Sequence, residues 1–329
     1  MHFIDQFSKK VADYNPIAGA TFEQTTSFAN WLKDDGLSIF VQAYEEETGK
    51  KLPSPPDEKL IEQGYPKGIN EFKKKFQQHC YFDANARIFV DTCKWVSENV
   101  AKAHLDHRAE PFASRHHSLM YKLVLDAQYL LSEWADLKES VPGMYGIGKN
   151  PLHCAFQITH ATEQLMFAGS PFFAFQDNAT DSGAALLRVA IETRLRFGFG
   201  LLGVQDINTG TVAPLNLSKV LDAIVAHESS VHLAIPIQHV SRIYGWSNIY
   251  VHIGLKHYTW SPIFALNYLN PLLRGGKYPG GISIDAGIQA NRATLLTIQN
   301  EAESAYNLDP TREQLMKLEP EQCSAIILS

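Results

Sequence analysis

The stretch Arg188-Val189-Ala190-Ile191-Glu192, followed later by Ser247-Asn248-Ile249-Tyr250-Val251-His252, places polar residues inside two apolar runs. Both runs have the three- and four-residue apolar spacing of helices. If the two helices are neighbours in one bundle, their polar side chains would form one cluster. Because an isolated buried polar group is costly, such a cluster should be internally paired and should have a structural or functional role.

The first of these helices carries a ladder of charges. Glu192 lies four residues after Arg188 and four before Arg196, so the three side chains share one helix face. An exposed ladder of this kind is a solvated surface that contributes only about 0.3–0.5 kcal/mol per pair. The rest of the helix is so apolar that the ladder also fits a partly buried cluster, and the sequence leaves both interpretations open.

The second helix, predicted over residues 237–256, adds further polar candidates. They are Arg242, Tyr244, Ser247, Asn248 and His252. His252 follows Asn248 by four residues, so the two side chains share a helix face. A neutral imidazole beside an arginine or a carboxylate can act as a general base or a hydrogen-bond relay near neutral pH.

Length and composition favour a folded cytoplasmic protein. A chain of 329 residues that is 45% hydrophobic can bury a substantial core. The formal net charge of −6 excludes nucleic-acid binding by whole-surface electrostatics, so any such binding needs a local basic patch. The four cysteines lack metal-type spacing, and neither a secretory leader nor an apolar run of about 18 residues occurs. These features predict a cytoplasmic location without membrane contact.

The histidines do not form a metal-ligand pattern. His227 and His232 are five residues apart, about 140° around a helix, whereas the zinc-protease pattern needs a spacing of four. Two other pairs are spaced by three residues, His104 with His107 and His160 with Glu163. The second pair has the reverse order of the Glu-x-x-His motif of di-iron bundles. We therefore predict no metal and no cofactor.

Apolar periodicity predicts helices along most of the chain. They cover residues 22–48, 69–107, 114–138, 151–168, 181–203, 216–227, 237–256, 289–306 and 311–318, with an interruption at 83–85. The Gly- and Pro-rich connection 142–151 is the best candidate boundary. We therefore predict an all-α protein, in which an N-terminal helical region, 1–141, precedes a multi-helix bundle, 142–329, with an irregular C-terminal tail.

Two helix patterns resemble the helical HEPN superfamily, and most closely the HEPN-like proteins of bacteria and phage-defence loci. In this chain they read Leu186-Leu187-Arg188…Glu192…Arg196 and Tyr244…Ser247-Asn248…His252-Ile253-Gly254. The resemblance covers residues 181–256. It implies an antiparallel helical bundle that commonly dimerises, and in many members an RNase site built from an arginine, a polar residue and a histidine.

The resemblance also implies roles for individual residues. Glu192 and Arg196 match the upstream Glu-x-x-x-Lys/Arg pair of the family. Asn248 matches the polar residue of the RNase motif, and His252 matches its histidine. These four residues are therefore the catalytic candidates.

The motif arginine is absent from its expected position. Ser247 occupies that position, and Arg242 lies ten residues before His252, which is outside the motif spacing. Serine cannot stabilise developing charge on a phosphate as arginine does. RNase activity would therefore require Arg188, Arg196 or Arg242 to take over this role in space.

Three functions follow as expectations. The first is a HEPN-like module of bacterial stress or defence, expected to be a homodimer, that binds RNA, a nucleotide or a protein partner. The second is a metal-independent endoribonuclease in which His252 is the base and Asn248 positions it. The third is a structural or interaction bundle in which the polar cluster fixes helix register. Arginines that converge on an open cleft favour RNA chemistry, whereas full burial with mutual pairing favours a structural role.

Overall fold

The computed structural model describes residues 9, 13–14, 20–75, 79–104, 113–138, 182–255 and 257–328, without the side chains of 72–73, 75, 103–104, 113–115 and 135–138. The helices in this part of the chain are α1 Phe22–Trp31, α2 Leu37–Thr48, α3 Asp57–Gly64, α4 Ile69–Lys75, α5 His79–His104, α6 Ala113–Lys138, α7 Gly183–Phe199, α8 Leu217–Ala226, α9 Ile237–Ile253, α10 Trp260–Arg274 and α11 Arg292–Tyr306. The strands are β1 Leu201–Asp206, β2 Val212–Ala213, β3 Val231–Leu233, β4 Gly276–Tyr278, β5 Gly281–Ser283, β6 Ile288–Asn291, β7 Glu313–Lys317 and β8 Ile326–Leu328. Short 3-10 turns cover Glu228–Ser230 and Pro320–Gln322.

The chain divides into two compact units. Unit 1 comprises Met1–Ala185 and Asn248–Ala265, and unit 2 comprises Leu186–Ser247 and Leu266–Ser329. The predicted boundary after residue 141 falls in the interval 139–181, which lies outside the described residues together with the predicted helix 151–168. That boundary remains a prediction.

The predicted predominance of helix is confirmed, but the protein is not all-α. Three small sheets accompany the helices, with strand orders β2-β1-β7, β3-β6-β8 and β4-β5. The predicted helix 181–203 ends at Phe199, because Gly200 adopts a left-handed conformation with φ +67° and β1 follows. A Cβ atom at Gly200 would lie 2.6 Å from the Cys323 sulfur, so both conformation and space require glycine there.

The predicted tail helix 311–318 is wrong. Residues Glu313–Lys317 form β7, which pairs antiparallel with β1 and places Leu315 opposite Val204. Leu315 is buried, whereas its neighbour Gln314 is exposed. Pairing with a distant strand therefore overrides the local helical spacing.

In unit 1 the predicted helix 22–48 consists of α1 and α2, joined by a π-helical turn at Leu32–Gly36. Thr21 caps α1 with a capping box, and Gly49 ends α2 in the left-handed conformation. The predicted interruption at 83–85 is wrong, since α5 runs through it. Asn85 stays within the helix because its buried side-chain amide donates to the carbonyl of Tyr81 at 2.9 Å.

The core of unit 1 is rich in aromatic side chains. Phe40 packs against Phe89 with ring centroids 4.5 Å apart, and Phe89 makes an edge contact with Trp260 at 5.3 Å. Tyr258 stacks on Trp260 at 4.5 Å. Such pairs stabilise a fold beyond the area that they bury.

Unit 2 combines short strands with packed helices. β1 lies between β2 and β7, and β6 pairs antiparallel with β3 and parallel with β8. Helices α8 and α11 pack together, with Val220 and Ile224 of α8 and Ile298 of α11 fully buried. In the described part of the chain, no helix has both the length and the apolar character needed to cross a membrane.

Candidate functional site

Unit 2 contains a polar cluster on α7, α8, α9 and α11, which we call the Glu192 cluster. Its members are Arg188, Glu192, Arg196, Lys219, Tyr244 and Tyr306. The α7 members are spaced by four residues because α7 is continuous from Gly183 to Phe199. The adjacent side of α7, about 100° around the helix, carries buried apolar residues, including Leu187, Ile191 and Leu195.

The Glu192 carboxylate is shared by two arginines and a tyrosine. Arg188 Nε lies 3.2 Å from Oε1, and Arg196 Nη2 lies 3.9 Å from Oε2. The Tyr244 hydroxyl donates to Oε1 at 2.9 Å. The exposed fractions of these side chains are 24% for Arg188, 19% for Glu192 and 22% for Arg196, so the ladder is mostly buried and yet reachable from solvent.

Tyr244 holds one side of the cluster. The Arg188 guanidinium lies over its ring, with 5.6 Å between the guanidinium carbon and the ring centroid. Burial raises the pKa of the Tyr244 hydroxyl above its ordinary value. The hydroxyl therefore keeps its proton and serves as a hydrogen-bond donor to the Glu192 carboxylate.

The other side of the cluster is built around the segment that leads into α8. Arg196 Nη2 donates to the carbonyl of Leu215 at 3.2 Å, and the Tyr306 hydroxyl donates to the carbonyl of Asn216 at 2.6 Å. Asn216 also caps α8 through its side chain. The same backbone turn thus starts a helix and fixes two members of the cluster.

Lys219 completes the cluster beside Tyr306. Its ammonium nitrogen lies 4.8 Å from the Tyr306 ring centroid and donates to the carbonyl of Ala305 at 2.7 Å. Burial raises the pKa of Tyr306 to about 12, although the nearby Arg196 charge acts in the opposite direction. Lys219 therefore lies on the Tyr306 ring, and the Arg196 charge is near enough to act on the Tyr306 hydroxyl.

The cluster has more positive than negative charge. Arg188, Arg196 and Lys219 are cationic, whereas Glu192 is its single carboxylate. The Nε atoms of Arg188 and Arg196 are both buried and, in the described structure, lack a hydrogen-bond acceptor. Arg188 Nε is close enough to Glu192 for an ion pair, but its N–H does not point at the carboxylate oxygen. The guanidinium groups thus retain unused donor capacity.

Two other predicted site residues of unit 2 lie outside the cluster. Ser247 is fully buried, and its hydroxyl donates to the carbonyl of Tyr244 at 2.7 Å within α9. Arg242 is half-buried, and its position two residues before Tyr244 places it about 200° around the helix from that side chain. Position 247 is therefore an interior position in this chain.

Asn248 and His252 belong to unit 1. His252 is exposed in the last turn of α9. The Asn248 side-chain oxygen is buried and has no hydrogen-bond partner in the described structure. Tyr244 is the α9 residue that bonds to the Glu192 carboxylate.

Sequence reasoning missed a set of buried polar residues in unit 1. Residues 257–261 lead into α10, and their backbone and side chains donate to polar groups on α5 and α6. The Thr259 amide donates to Asp126 at 2.7 Å, the Tyr258 hydroxyl donates to Glu133, and the Trp260 indole N–H donates to Asn85 at 3.0 Å.

A sequence signal for these residues does exist. Asp126 and Glu133 are seven residues apart on α6, which places both carboxylates on one face of the helix. That face also carries the buried Leu123, Leu130 and Trp134. A carboxylate within an apolar helix face needs a hydrogen-bond donor. Because residues 257–261 are distant in sequence from α6, the sequence does not show that they supply this donor.

The described residues contain no group of three or more His, Cys, Asp or Glu side chains arranged to hold a metal ion. The His104 side chain, His107, His160 and Glu163 lie outside the described part of the structure. Comparison of the chain with family models, curated proteins and solved structures finds no match.

Proposed function

We propose that this chain is a HEPN-like helical module of bacterial stress or defence that binds a phosphate group of RNA or of a nucleotide at the Glu192 cluster. The observation that carries the proposal is the pair of partly exposed guanidinium groups, Arg188 and Arg196, around a single carboxylate. Arginine forms bidentate hydrogen bonds with phosphate and is the preferred residue for its recognition. The assignment to stress or defence rests on the HEPN resemblance alone.

The charge of the cluster supports binding rather than a purely structural role. A structural ion-pair ladder is expected to balance its charges and to use its donors. Here three cations accompany one carboxylate, and two buried Nε–H groups lack acceptors in the described structure. An unsatisfied buried donor costs about 1–3 kcal/mol, which a bound anion can offset by drawing the guanidinium groups into new hydrogen bonds.

The endoribonuclease alternative has weaker support. A HEPN-type cleavage site needs an arginine close to the histidine, and Ser247 at that position donates inward to Tyr244. His252 is exposed and belongs to the other unit. Neither residue offers the electrostatic stabilisation that cleavage of a phosphodiester requires.

The test is a titration of the full-length protein with fluorescently labelled single-stranded RNA that carries a 5′-phosphate, followed by anisotropy. We expect Arg188→Gln and Arg196→Gln each to weaken binding by about ten- to a hundredfold, because each loses a charge-assisted hydrogen bond of about 1.5–3 kcal/mol. The matched control is Arg292→Gln, since Arg292 forms an exposed pair with Glu321 at 3.2 Å. Circular dichroism and urea unfolding of each variant separate lost binding from lost folding.

Two results would overturn the proposal. Equal affinities of the wild type and both cluster variants would show that RNA binds elsewhere or not at all. Cleavage of the RNA that is abolished by His252→Ala, in a folded variant, would make the endoribonuclease the better account.

A further inference from the structure

The Glu192 cluster carries two positive charges that its own carboxylate does not balance. Arg188 and Arg196 both lie against Glu192, at 3.2 Å and 3.9 Å, so one guanidinium charge is compensated within the ladder. The Lys219 charge adds to the uncompensated guanidinium charge, because the Lys219 ammonium group donates to the neutral backbone carbonyl of Ala305. An ordinary ligand of a single negative charge would leave the cluster still positive.

The three cations are linked through shared partners. Arg188 and Arg196 both lie against the Glu192 carboxylate. Lys219 lies over the Tyr306 ring, and the Arg196 charge acts on the Tyr306 hydroxyl. Three cations linked in this way match one multiply charged group with several acceptor oxygens.

The phosphate classes differ in charge and in acceptor number. A phosphate monoester carries about two negative charges at neutral pH, because its second pKa is about 6, and it presents three terminal oxygens. A phosphodiester of an RNA backbone carries one charge and has two such oxygens. The formal charge of −6 on the whole chain also disfavours a long polyanion that must lie along the surface.

We infer that the Glu192 cluster recognises a phosphate monoester dianion, supplied either by a free nucleoside monophosphate or by the phosphorylated end of an RNA strand. This inference rests on the proposed function and narrows it from phosphate groups in general to one class. Arg188 and Arg196 hold the terminal oxygens in bidentate hydrogen bonds, and Lys219 supplies the third charge. Glu192 keeps the two guanidinium groups apart and oriented, so it is a positioning residue.

The experiment is calorimetric titration of the intact protein at pH 7.5 with four probes. Adenosine 5′-monophosphate is a monoester, and adenosine 3′,5′-cyclic monophosphate is its diester counterpart with the same base. A short RNA with a 5′-phosphate and the same RNA with a 5′-hydroxyl separate the two sources of a monoester. We expect the monoester of each pair to bind about tenfold or more tightly, since it gains a charge-assisted interaction.

Repeating the titrations at pH 5.5 gives a second readout. Protonation of the monoester removes one of its charges below pH 6, whereas the charge of the diester stays constant. We therefore expect the affinity for adenosine 5′-monophosphate to fall relative to the cyclic compound. A preference for the free nucleotide over the phosphorylated RNA end, or the reverse, identifies the source.

The outcomes distinguish a failure of this inference from a failure of the proposed function on which it rests. Equal affinity for monoester and diester at both pH values, with binding still lost in Arg196→Gln, contradicts the inference and leaves phosphate binding in place. Absence of binding for all four probes contradicts both. If the preference for the monoester persists unchanged in Lys219→Gln, Lys219 does not supply the third charge. That result would also contradict the inference, which depends on three cations.

Discussion

Arg194 shows how unit 2 accommodates a charge that is almost completely buried. Its side chain is 9% exposed and forms an ion pair with Asp285 at 3.1 Å. It also donates to the carbonyls of Leu272 and Asp285 and to the hydroxyl of Ser324. Burial lowers the pKa of Arg194, and the Asp285 charge opposes that shift. The guanidinium thus joins three segments that are distant in sequence.

Replacing Arg194 with lysine tests this role. Lysine keeps the charge but cannot donate in the fixed directions of the guanidinium fork. We expect Arg194→Lys to lower the free energy of unfolding by about 2–3 kcal/mol in urea titrations, because buried acceptors lose their donors. The control is Arg292→Lys, whose side chain is 60% exposed, and it should change stability by no more than about 0.5 kcal/mol. Similar effects at the two positions would contradict this account.

The charge ladder could be found from the sequence, whereas the role of Arg194 could not. Arg188, Glu192 and Arg196 are related by helical spacing, which is visible in the chain itself. Arg194 lies between them on a different face, and its partners come from residues 272, 285 and 324. Tyr306 could not be predicted as a member of the Glu192 cluster, because it too is distant in sequence from the ladder residues on α7.

At the scale of elements, the segment 257–261 is held in unit 1 by hydrogen bonds to buried groups. Tyr258 donates to the Glu133 carboxylate, and both side chains are buried. We expect Tyr258→Phe to lower the free energy of unfolding by about 1–3 kcal/mol, since it takes a donor from a buried carboxylate. Chemical denaturation of Tyr258→Phe and of Tyr129→Phe measures the difference, because Tyr129 on α6 is exposed. An unchanged midpoint for Tyr258→Phe would show that this bond adds nothing to stability.

The turn that follows β1 is stabilised by Asp206. Its carboxylate accepts from the amides of Asn208 and Thr209 and forms an ion pair with Arg312 at 3.1 Å. The Thr209 amide, followed by the Arg312 side chain, lowers the pKa of Asp206 below its ordinary value. A depressed pKa in the folded state means that the stabilisation is present above the unfolded-state pKa and is lost as the pH falls.

A pH series checks the sign of this effect. The difference in unfolding free energy between the wild type and Asp206→Ala should be largest near neutral pH. It should shrink as the pH falls below the unfolded-state pKa of about 4 and the carboxylate of the folded protein takes up its proton. A difference that is independent of pH, or that grows in acid, would show that the charge of Asp206 is not what stabilises the turn.

The sequence predicted helices better than strands for a physical reason. Apolar spacing of three and four residues is a local property, and it predicted α6, α8 and α9 to within a few residues. Strands β1 and β7 are short, and they pair across a long interval of sequence, Leu201 with Lys317 at one end. Their existence depends on partners that no local window contains.

At the scale of the whole molecule, the effect of salt on binding distinguishes one local site for RNA from an extended basic surface. The chain has a formal charge of −6, so we assign the attraction to RNA to a local site, the Glu192 cluster. A bound monoester dianion presents two charges, so the logarithm of the affinity for 5′-phosphorylated single-stranded RNA should fall with the logarithm of salt concentration with a slope of about −1.4. This corresponds to a loss of about sevenfold between 50 and 200 mM salt. A much steeper dependence would indicate an extended basic surface instead.

The most direct test of phosphate recognition at the Glu192 cluster is thermal unfolding of the full-length protein with and without inorganic phosphate. A ligand that binds only the native state raises the unfolding temperature, and the rise grows with the logarithm of ligand concentration divided by Kd once the site is nearly saturated. We expect phosphate to raise the unfolding temperature of the wild type above that in chloride of the same ionic strength, and to have no such effect on the Arg188→Gln/Arg196→Gln double variant. An equal phosphate-dependent rise in both proteins, or none in the wild type, would contradict the account.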